Sequence, residues 1–499
     1  MTASAAEGGD GARRWIGLGI AVAVLAAVVL APPVAGLPVA GQRAIGILLF
    51  AVVLWVSEAV DLTVSAFLIA ALIILLVGSA PDPQDAQRIV GLPRARDWAI
   101  AGFANNAVAL VGAALVFAAA VTATGLDRRI ALATLSRVGT RPQGILAGTL
   151  AVGVLLAFLV PSATARVSAV VPIVLGIIAA FGMPRDSRLA ALLMIGSAQV
   201  CSVMNIGVLT AAAQNATFLG LIGRAIPGAS VTWLDWFIAA APFWLVMVPL
   251  TGVILWRFHT PEREVGAGGE GAVARDLAAL GPMSGAEWRT LLTAAALLLV
   301  WATEQRLHAL DTASSTIIAV TLLLLPRIGV MTWKQAQASV PWGTLILFAV
   351  GIALGTVLVQ TRGAAWMAGM IVDAFALRHA TPFVIVAVMA AFLIVVHLGF
   401  ASATALAAAF IPIVISVLQE VARAGVPVNV AGVTMILQFT ISFGFMLVVS
   451  APQNMVAFGT GTFAARDFTR SGVVITLVGY ALVLLLTATW WNWLGYVRG

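Results

Sequence analysis

The sequence predicts an all-α polytopic membrane protein built from two related halves. Of its 499 residues, 62% are hydrophobic and only 9% are charged, whereas a soluble globular protein carries about 25% charged residues. Several apolar runs reach the roughly 20 residues that a helix needs to cross a bilayer. Two polar motifs of the first half recur in the same order about 240 residues later, which indicates an internal duplication.

Charge and cysteine content exclude several classes of protein. The net charge of +7 comes with arginines clustered in short loops, such as Arg128 and Arg129. Such clusters are typical of cytoplasmic loops and do not indicate nucleic-acid binding. A single cysteine, Cys201, excludes an intramolecular disulfide framework and any site built from several cysteines. We therefore predict a multi-pass protein of the cytoplasmic (inner) membrane with an uncleaved first helix.

The order of apolar and polar segments divides the chain into four parts. These are an N-terminal tail (1–14), a first membrane repeat (15–256), a hydrophilic linker (257–285) and a second membrane repeat (286–499). The linker is charged and glycine-rich, which is typical of a connection between structural units.

Within each repeat, one apolar segment is interrupted by small and polar residues. The segment AGFANNAVALVGAALVFAAAVTATGLDRR begins at Ala101, and its counterpart PWGTLILFAVGIALGTVLVQTRGAAW begins at Pro341. Polar backbone at membrane depth is tolerated only where protein surrounds it. We therefore predict a re-entrant helical hairpin in each half.

Two further pairs of motifs predict broken helices. Ser162-Ala163-Thr164 and Ser402-Ala403-Thr404 each interrupt a long apolar run, and each serine is followed ten residues later by a proline, Pro172 or Pro412. Gln214-Asn215 and Gln453-Asn454 form a second matched pair about fifty residues further on. Such breaks expose backbone groups to a polar ligand inside the bilayer. If the halves have opposite orientations, the breaks meet at the midplane.

At this point the chain resembles the divalent anion:sodium symporter family, whose members transport dicarboxylates, citrate or sulfate. The resemblance covers nearly the whole chain and is carried by LWVSEAVDLTVSAF, TGLDRRIAL, WATEQRLHALDTASS, VPWGTLILFAVGIALG, the two serine-x-threonine motifs and the APQN-type break. It implies two inverted repeats with re-entrant hairpins. It also implies a homodimer in which a scaffold domain supports an elevator-type transport domain.

The resemblance also implies roles for individual residues. Thr164 and Thr404 would hydrogen-bond the oxygens of the substrate, and Ser162 and Ser402 would lie beside the cation sites. The predicted substrate-binding residues are Ser162, Ala163, Thr164, Arg166, Ser402, Ala403, Thr404, Pro452, Asn215 and Asn454. The candidate Na⁺ ligands are Ser162, Thr210, Ala211, Ser402 and Ser450.

This sequence departs from the family pattern at the cation sites. The family signature is Ser-Asn-Thr, but the middle position is Ala163 in one half and Ala403 in the other. Because a hard cation needs several oxygen ligands, the loss of these side chains argues against ordinary Na⁺ coupling. Arg166 follows the first motif, and a charge at membrane depth costs at least about 2.5–3.5 kcal/mol. We hypothesise that its guanidinium replaces a bound Na⁺ and forks onto the substrate carboxylate; the alternatives are snorkelling and pairing with Asp186.

Three other features have two interpretations each. His397 is a candidate for proton coupling, because histidine changes charge between pH 5 and 8, or it is hydrogen-bonded packing. Asn215 and Asn454 either cap the broken helices or contact the ligand, and the same alternatives hold for the neighbouring glutamines.

We predict a secondary active transporter that moves a small anion of the dicarboxylate or sulfate class by an elevator-type mechanism. The alternative is a proton-coupled or exchange transporter of another organic anion, with Arg166 in place of a cation. An intramembrane enzyme is disfavoured because Arg166 and His397 form no known catalytic set, and the duplicated breaks argue against a channel. The predicted partners are the anion, the bilayer and a second copy of the chain. No cofactor is predicted apart from Na⁺ as a candidate coupling ion.

Overall fold

The structure is a computed structural model that describes residues 3–139, 141–226, 228–261 and 271–499, with side chains from residue 14 onward. Within those ranges the regular elements are helices, and the only β-type pairings are two isolated bridges. Eight helices are long and apolar enough to cross a membrane, and seven shorter apolar helices accompany them. The predicted all-α polytopic fold is confirmed.

The first half begins with six helices. Its first six helices are α1 (Ala3–Leu30), α2 (Val39–Ser57), α3 (Leu62–Leu72, extended by a π-helical turn Ile73–Val77), α4 (Leu92–Ile100), α5 (Asn106–Thr124) and α6 (Leu126–Leu135). The sequence predicted a tail through residue 14, but α1 begins at Ala3. The segment from Ala101 that was predicted to be a re-entrant hairpin forms one long helix, α5, because Asn105 caps its start and Gly125 ends it. The hairpin prediction is wrong for this segment.

The rest of the first half contains the two predicted breaks. Its helices are α7 (Pro142–Ala157), α8 (Ala163–Ala180), α9 (Arg188–Gly207), α10 (Ala213–Ala225) and α11 (Trp233–Phe258). The first break separates α7 from α8, where Pro161 disfavours helical backbone at the residue before it. The second break separates α9 from α10.

Part of the predicted linker has helical structure. Within 257–285, α11 ends at Phe258 and α12 spans Ala272–Ala279, while 262–270 lie outside the described residues. Arg129 of α6 forms an ion pair with Glu287, at the start of the second half.

The second half repeats the order of the first. Its helices are α13 (Gly285–Thr303), α14 (Thr312–Leu324), α15 (Trp333–Ser339), α16 (Trp342–Gln360), α17 (Gly363–Ala374), α18 (Pro382–His397), α19 (Ala403–Arg423), α20 (Val430–Thr440), α21 (Pro452–Phe458), α22 (Ala465–Ala488) and α23 (Trp490–Trp493). The segment from Pro341 that was predicted to be the second hairpin also forms one long helix, α16, and the breaks separate α18 from α19 and α20 from α21.

Helices of the two halves pack against each other. The long helix in each of the two segments that were predicted as hairpins packs against a helix of the other half, α5 on α14 and α16 on α3. Helix α16 also packs closely against α19. A Cβ at Gly351 would lie 2.5 Å from Ala408 Cβ, and one at Gly355 would lie 2.6 Å from Pro412 Cγ. Glycine is therefore required at both positions for this close approach, as is common between membrane helices.

Candidate functional site

The two Ser-Ala-Thr motifs have the same local structure. Ser162 is the N-cap of α8, and its Oγ accepts a hydrogen bond from Ala165 N at 3.3 Å. Ser402 caps α19 in the same way through Ala405 N, also at 3.3 Å. Because the serine oxygen accepts in an N-cap, its hydroxyl hydrogen stays available to a ligand. Each motif therefore presents a hydroxyl donor at a helix N-terminus, where the helix dipole favours an anion.

The second breaks are held open by asparagine side chains. Asn215 Nδ2 donates to the backbone oxygens of Asn205, Val208 and Leu209 at 2.7–3.3 Å. Asn454 Nδ2 donates to Gly444 O at 2.8 Å and to Leu447 O at 3.2 Å. The last carbonyls of a helix lack intrahelical partners, and these amides supply them. This is the capping arrangement, one of the two that the sequence left open.

Both motifs line a single cavity of about 150 Å³. Drug-sized ligands occupy pockets of about 300–1,000 Å³, so this cavity suits a small solute. Seven of the predicted substrate-binding residues lie on its wall: Ser162, Ala163, Thr164, Ser402, Ala403, Thr404 and Pro452. Gln214, Gln453 and His397 lie there too, as does Thr344 at the start of α16.

The other predicted residues lie outside the wall of this cavity. They are Arg166, Asn215 and Asn454 among the substrate candidates, and Thr210, Ala211 and Ser450 among the Na⁺ candidates. Thr210 Oγ1 accepts a hydrogen bond from Trp233 Nε1 at 3.3 Å. The carbonyls of Ala211 and Ser450 also accept hydrogen bonds from side chains.

Arg166 is fully buried and surrounded by oxygen atoms. Its Nη1 donates to Val160 O at 2.7 Å and to Ala211 O at 2.9 Å. Its Nη2 donates to Cys201 O at 3.2 Å and to Asn205 Oδ1 at 2.6 Å. Neither Asp186 nor any other described acid forms an ion pair with it. The guanidinium is thus held by neutral oxygens, and its positive charge is not cancelled by a carboxylate of the described chain.

Asn205 connects this charge to the cavity, and sequence reasoning missed it. Its side chain lies on the cavity wall, and its Oδ1 accepts from Arg166. Because arginine can only donate, the oxygen of the amide must face Arg166, so the Nδ2 group points the other way. This Nδ2 forms no hydrogen bond with another described residue and is available to a ligand. Its counterpart in the second half is Gly444, so the repeat gave no signal for it.

The second half has a different arrangement at the equivalent place. Leu406 corresponds to Arg166, and Gly444 corresponds to Asn205. His397 Nε2 lies 3.2 Å from Ser450 O, the carbonyl equivalent to Ala211 O. A Cβ at Gly444 would lie 3.3 Å from His397 Nε2. The imidazole therefore packs against the position that carries the Asn205 side chain in the first half.

Comparison with known proteins identifies the family. The profile of the family described as "Sodium:sulfate symporter transmembrane region" matches residues 12–497. This chain belongs to that family. A membrane protein of Cupriavidus necator is 49% identical over 482 residues, which are 96% of this chain and 93% of the relative. The citrate/succinate antiporter of Escherichia coli strain K12 is 25% identical over 405 residues, covering 79% of this chain and 80% of the antiporter.

The YdaH transporter of Alcanivorax borkumensis, whose crystal structure reveals an unusual topology, has a similar fold. Its TM-score is 0.56 at 15% sequence identity, over 86% of this chain and 97% of that one. Family membership confirms the predicted resemblance. The chain is a multi-pass membrane transporter and not an enzyme.

Proposed function

We propose that this chain is a secondary transporter of a small dicarboxylate-class anion, and that Arg166 supplies the positive charge that a bound Na⁺ supplies in a symporter. The observation that carries the proposal is the contact between Arg166 and Asn205. It joins a fully buried, uncompensated guanidinium to the wall of the cavity that both Ser-Ala-Thr motifs line.

The cavity chemistry favours an anion with two charged ends. The hydroxyls of Ser162 and Thr164 come from one half, and those of Ser402 and Thr404 come from the other. Each pair lies at the N-terminus of a long helix, so a carboxylate can be stabilised by hydroxyl donors and by the helix dipole at each motif. Citrate and succinate, which the E. coli relative's name gives as its substrates, have this type of structure.

Arg166 can stabilise the anion indirectly, through the side-chain amide of Asn205. The guanidinium polarises the amide and fixes its orientation, so that Nδ2 is a preset donor toward the cavity. Hydrogen bonds inside a protein polarise one another along a chain. The sequence hypothesis was that the guanidinium binds the substrate carboxylate directly. In the structure, both Nη atoms of Arg166 donate to protein oxygens, so we propose an indirect role instead.

The residues at the predicted Na⁺ sites fit the ion poorly. In the first half, Ala211 O accepts from Arg166 and Thr210 Oγ1 accepts from Trp233. In the second half, Ser450 O is paired with His397. A hard cation needs an oxygen shell that is free to coordinate it, and a guanidinium at the same carbonyl repels it. We therefore propose transport that does not require Na⁺.

An elevator-type movement is part of the proposal. Four of the helices that line the cavity pack in two pairs, α8 on α21 and α10 on α19, and each pair joins one helix from each half. A unit packed in this way can carry the anion as one body. The homodimer stays a prediction, which the mass of the detergent-solubilised complex would test.

The test is transport by the purified full-length protein in liposomes. Vesicles are loaded with unlabelled succinate, and entry of labelled succinate is followed with Na⁺ fully replaced by choline. We expect entry at the same rate in Na⁺ and in choline, with competition by external dicarboxylates. Competition by sulfate alone, or entry that stops without Na⁺, contradicts the proposal.

A further inference from the structure

Two hydrogen bonds cross reciprocally between the halves beside the cavity. Gln453 Nε2 donates to Ser202 Oγ at 3.1 Å, and Gln214 Nε2 donates to Ser442 Oγ at 3.3 Å. The glutamines are equivalent residues of the two halves, whereas Ser442 lies one position beyond the equivalent of Ser202. Both glutamines lie on the cavity wall, and each is only 5% exposed.

The orientation of the Gln453 amide follows from its partner. Ser202 Oγ donates its hydrogen to Ala198 O at 3.2 Å, so this hydroxyl can only accept from Gln453. The atom bound to Ser202 must therefore be the amide nitrogen, and the amide oxygen must point elsewhere. Gln453 Oε1 accepts no hydrogen bond from a described residue. Gln453 Oε1 is accessible at the cavity wall, whereas Oε1 of Gln199 is fully buried without a hydrogen-bond partner.

An unpaired acceptor in an anion cavity restricts the ligand. A carboxylate oxygen can only accept hydrogen bonds, so it gains nothing from an amide oxygen, whereas a hydroxyl on the ligand's carbon chain can donate to it. A site built to bind a ligand hydroxyl discriminates against an analogue that lacks it, because the buried polar group is then left unpaired. In the other pair, Gln214 Nε2 donates to Ser442 Oγ, and Gln214 Oε1 accepts no hydrogen bond from a described residue.

We propose that Gln453 and Gln214 are specificity-determining residues, whose amide oxygens accept hydrogen bonds from hydroxyl groups between the two carboxylates of the substrate. The preferred substrate class is therefore the hydroxylated dicarboxylate, with up to two hydroxyls bound. This inference rests on the proposed function, because it requires a dicarboxylate to occupy the cavity.

The experiment compares three four-carbon dicarboxylates that differ in hydroxyl number: succinate, malate and tartrate. Each is titrated as a competitor of labelled succinate exchange in liposomes that contain the full-length protein. We expect apparent affinity to rise with each hydroxyl by roughly 3- to 10-fold, the range for one net hydrogen bond. Gln453→Met, which keeps the length of the side chain and removes the amide, should reduce the tartrate-to-succinate affinity ratio by a similar factor.

Gln419→Met is the matched control. Gln419 donates to Ala225 O outside the cavity, so its substitution should keep the wild-type ratio. Wild-type protein that binds succinate as tightly as malate and tartrate overturns the inference and leaves the proposed function intact. A Gln453→Met variant with an unchanged ratio also overturns it. Protein that exchanges none of the three anions refutes the proposed function itself.

Discussion

The two halves of the site share their backbone design and differ in how they place positive charge. Both have a serine N-cap at the first break and an asparagine that holds the second break open. In the first half, the carbonyl of Ala211 faces the permanent cation Arg166. In the second half, the equivalent carbonyl of Ser450 faces the imidazole of His397.

This difference shows that the carbonyl, and not the residue that reaches it, is the retained feature. Arg166 comes from the helix after the first break, whereas His397 comes from the helix before it. Each half also has the small or polar residue that its donor needs: Asn205 accepts from Arg166, and Gly444 leaves space for the imidazole ring. We infer that the two halves retain this carbonyl and pair it with different donors.

The largest expected effect is that of Arg166→Ala. The substitution removes the charge and leaves three buried oxygens, Val160 O, Ala211 O and Asn205 Oδ1, without this donor, each at a cost of about 1–3 kcal/mol. We expect succinate affinity to fall by roughly 100-fold or more, and guanidinium chloride at millimolar concentration to restore part of it. Titration calorimetry on monodisperse protein measures both effects. Arg128→Ala, which removes an exposed arginine, should bind like the wild type, and unchanged affinity in Arg166→Ala would reject the role of the charge.

The next largest effect should come from Asn205→Asp. Aspartate keeps a partner for Arg166, so thermal stability should be retained. However, its carboxylate cancels the positive charge of Arg166 and replaces the Nδ2 donor with an acceptor. We expect roughly 10- to 100-fold weaker succinate binding, consistent with the loss of a hydrogen bond to a charged group, about 1.5–3 kcal/mol. Wild-type affinity in this variant would show that Asn205 only packs against Arg166.

In the second half, His397→Leu should have a smaller effect than Arg166→Ala. It leaves one carbonyl, Ser450 O, without its donor, which costs about 1–3 kcal/mol. His397→Gln supplies an amide donor of similar reach and should recover much of the loss. The comparison uses exchange rates in liposomes at one pH. An effect of His397→Leu equal to that of Arg166→Ala would mean that the two halves are charged alike.

The smallest effects should be equal in the two halves. Ser162→Ala and Ser402→Ala each remove an N-cap, worth about 1 kcal/mol of stability, together with one hydroxyl donor. We expect both variants to lower the melting temperature and the succinate affinity by similar, modest amounts. A large effect of only one of them would show that the anion is bound by a single motif.

The parts of this site that recur in the chain were predictable from the sequence. The two Ser-Ala-Thr motifs and the paired asparagines were recognised because each has a counterpart about 240 residues away. Hydropathy predicted the all-α membrane fold because the bilayer limits spanning segments to long apolar helices.

The features that break the repeat could not be predicted in the same way. Arg166 was recognised as exceptional, but its partners are mostly backbone carbonyls, which the sequence does not distinguish from one another. Asn205 has a glycine as its counterpart, so the repeat gave no reason to select it. The free oxygen of Gln453 depends on which way Ser202 donates, which only the three-dimensional contacts determine.

The central claim is that Arg166 supplies the positive charge in place of Na⁺. Its most direct test is calorimetric titration of succinate into the purified wild-type protein, in choline chloride and in sodium chloride at equal ionic strength. Because we propose that Arg166 supplies the charge of the cation in the first half, we predict the same dissociation constant in both salts. Binding that appears only in sodium chloride would contradict the account.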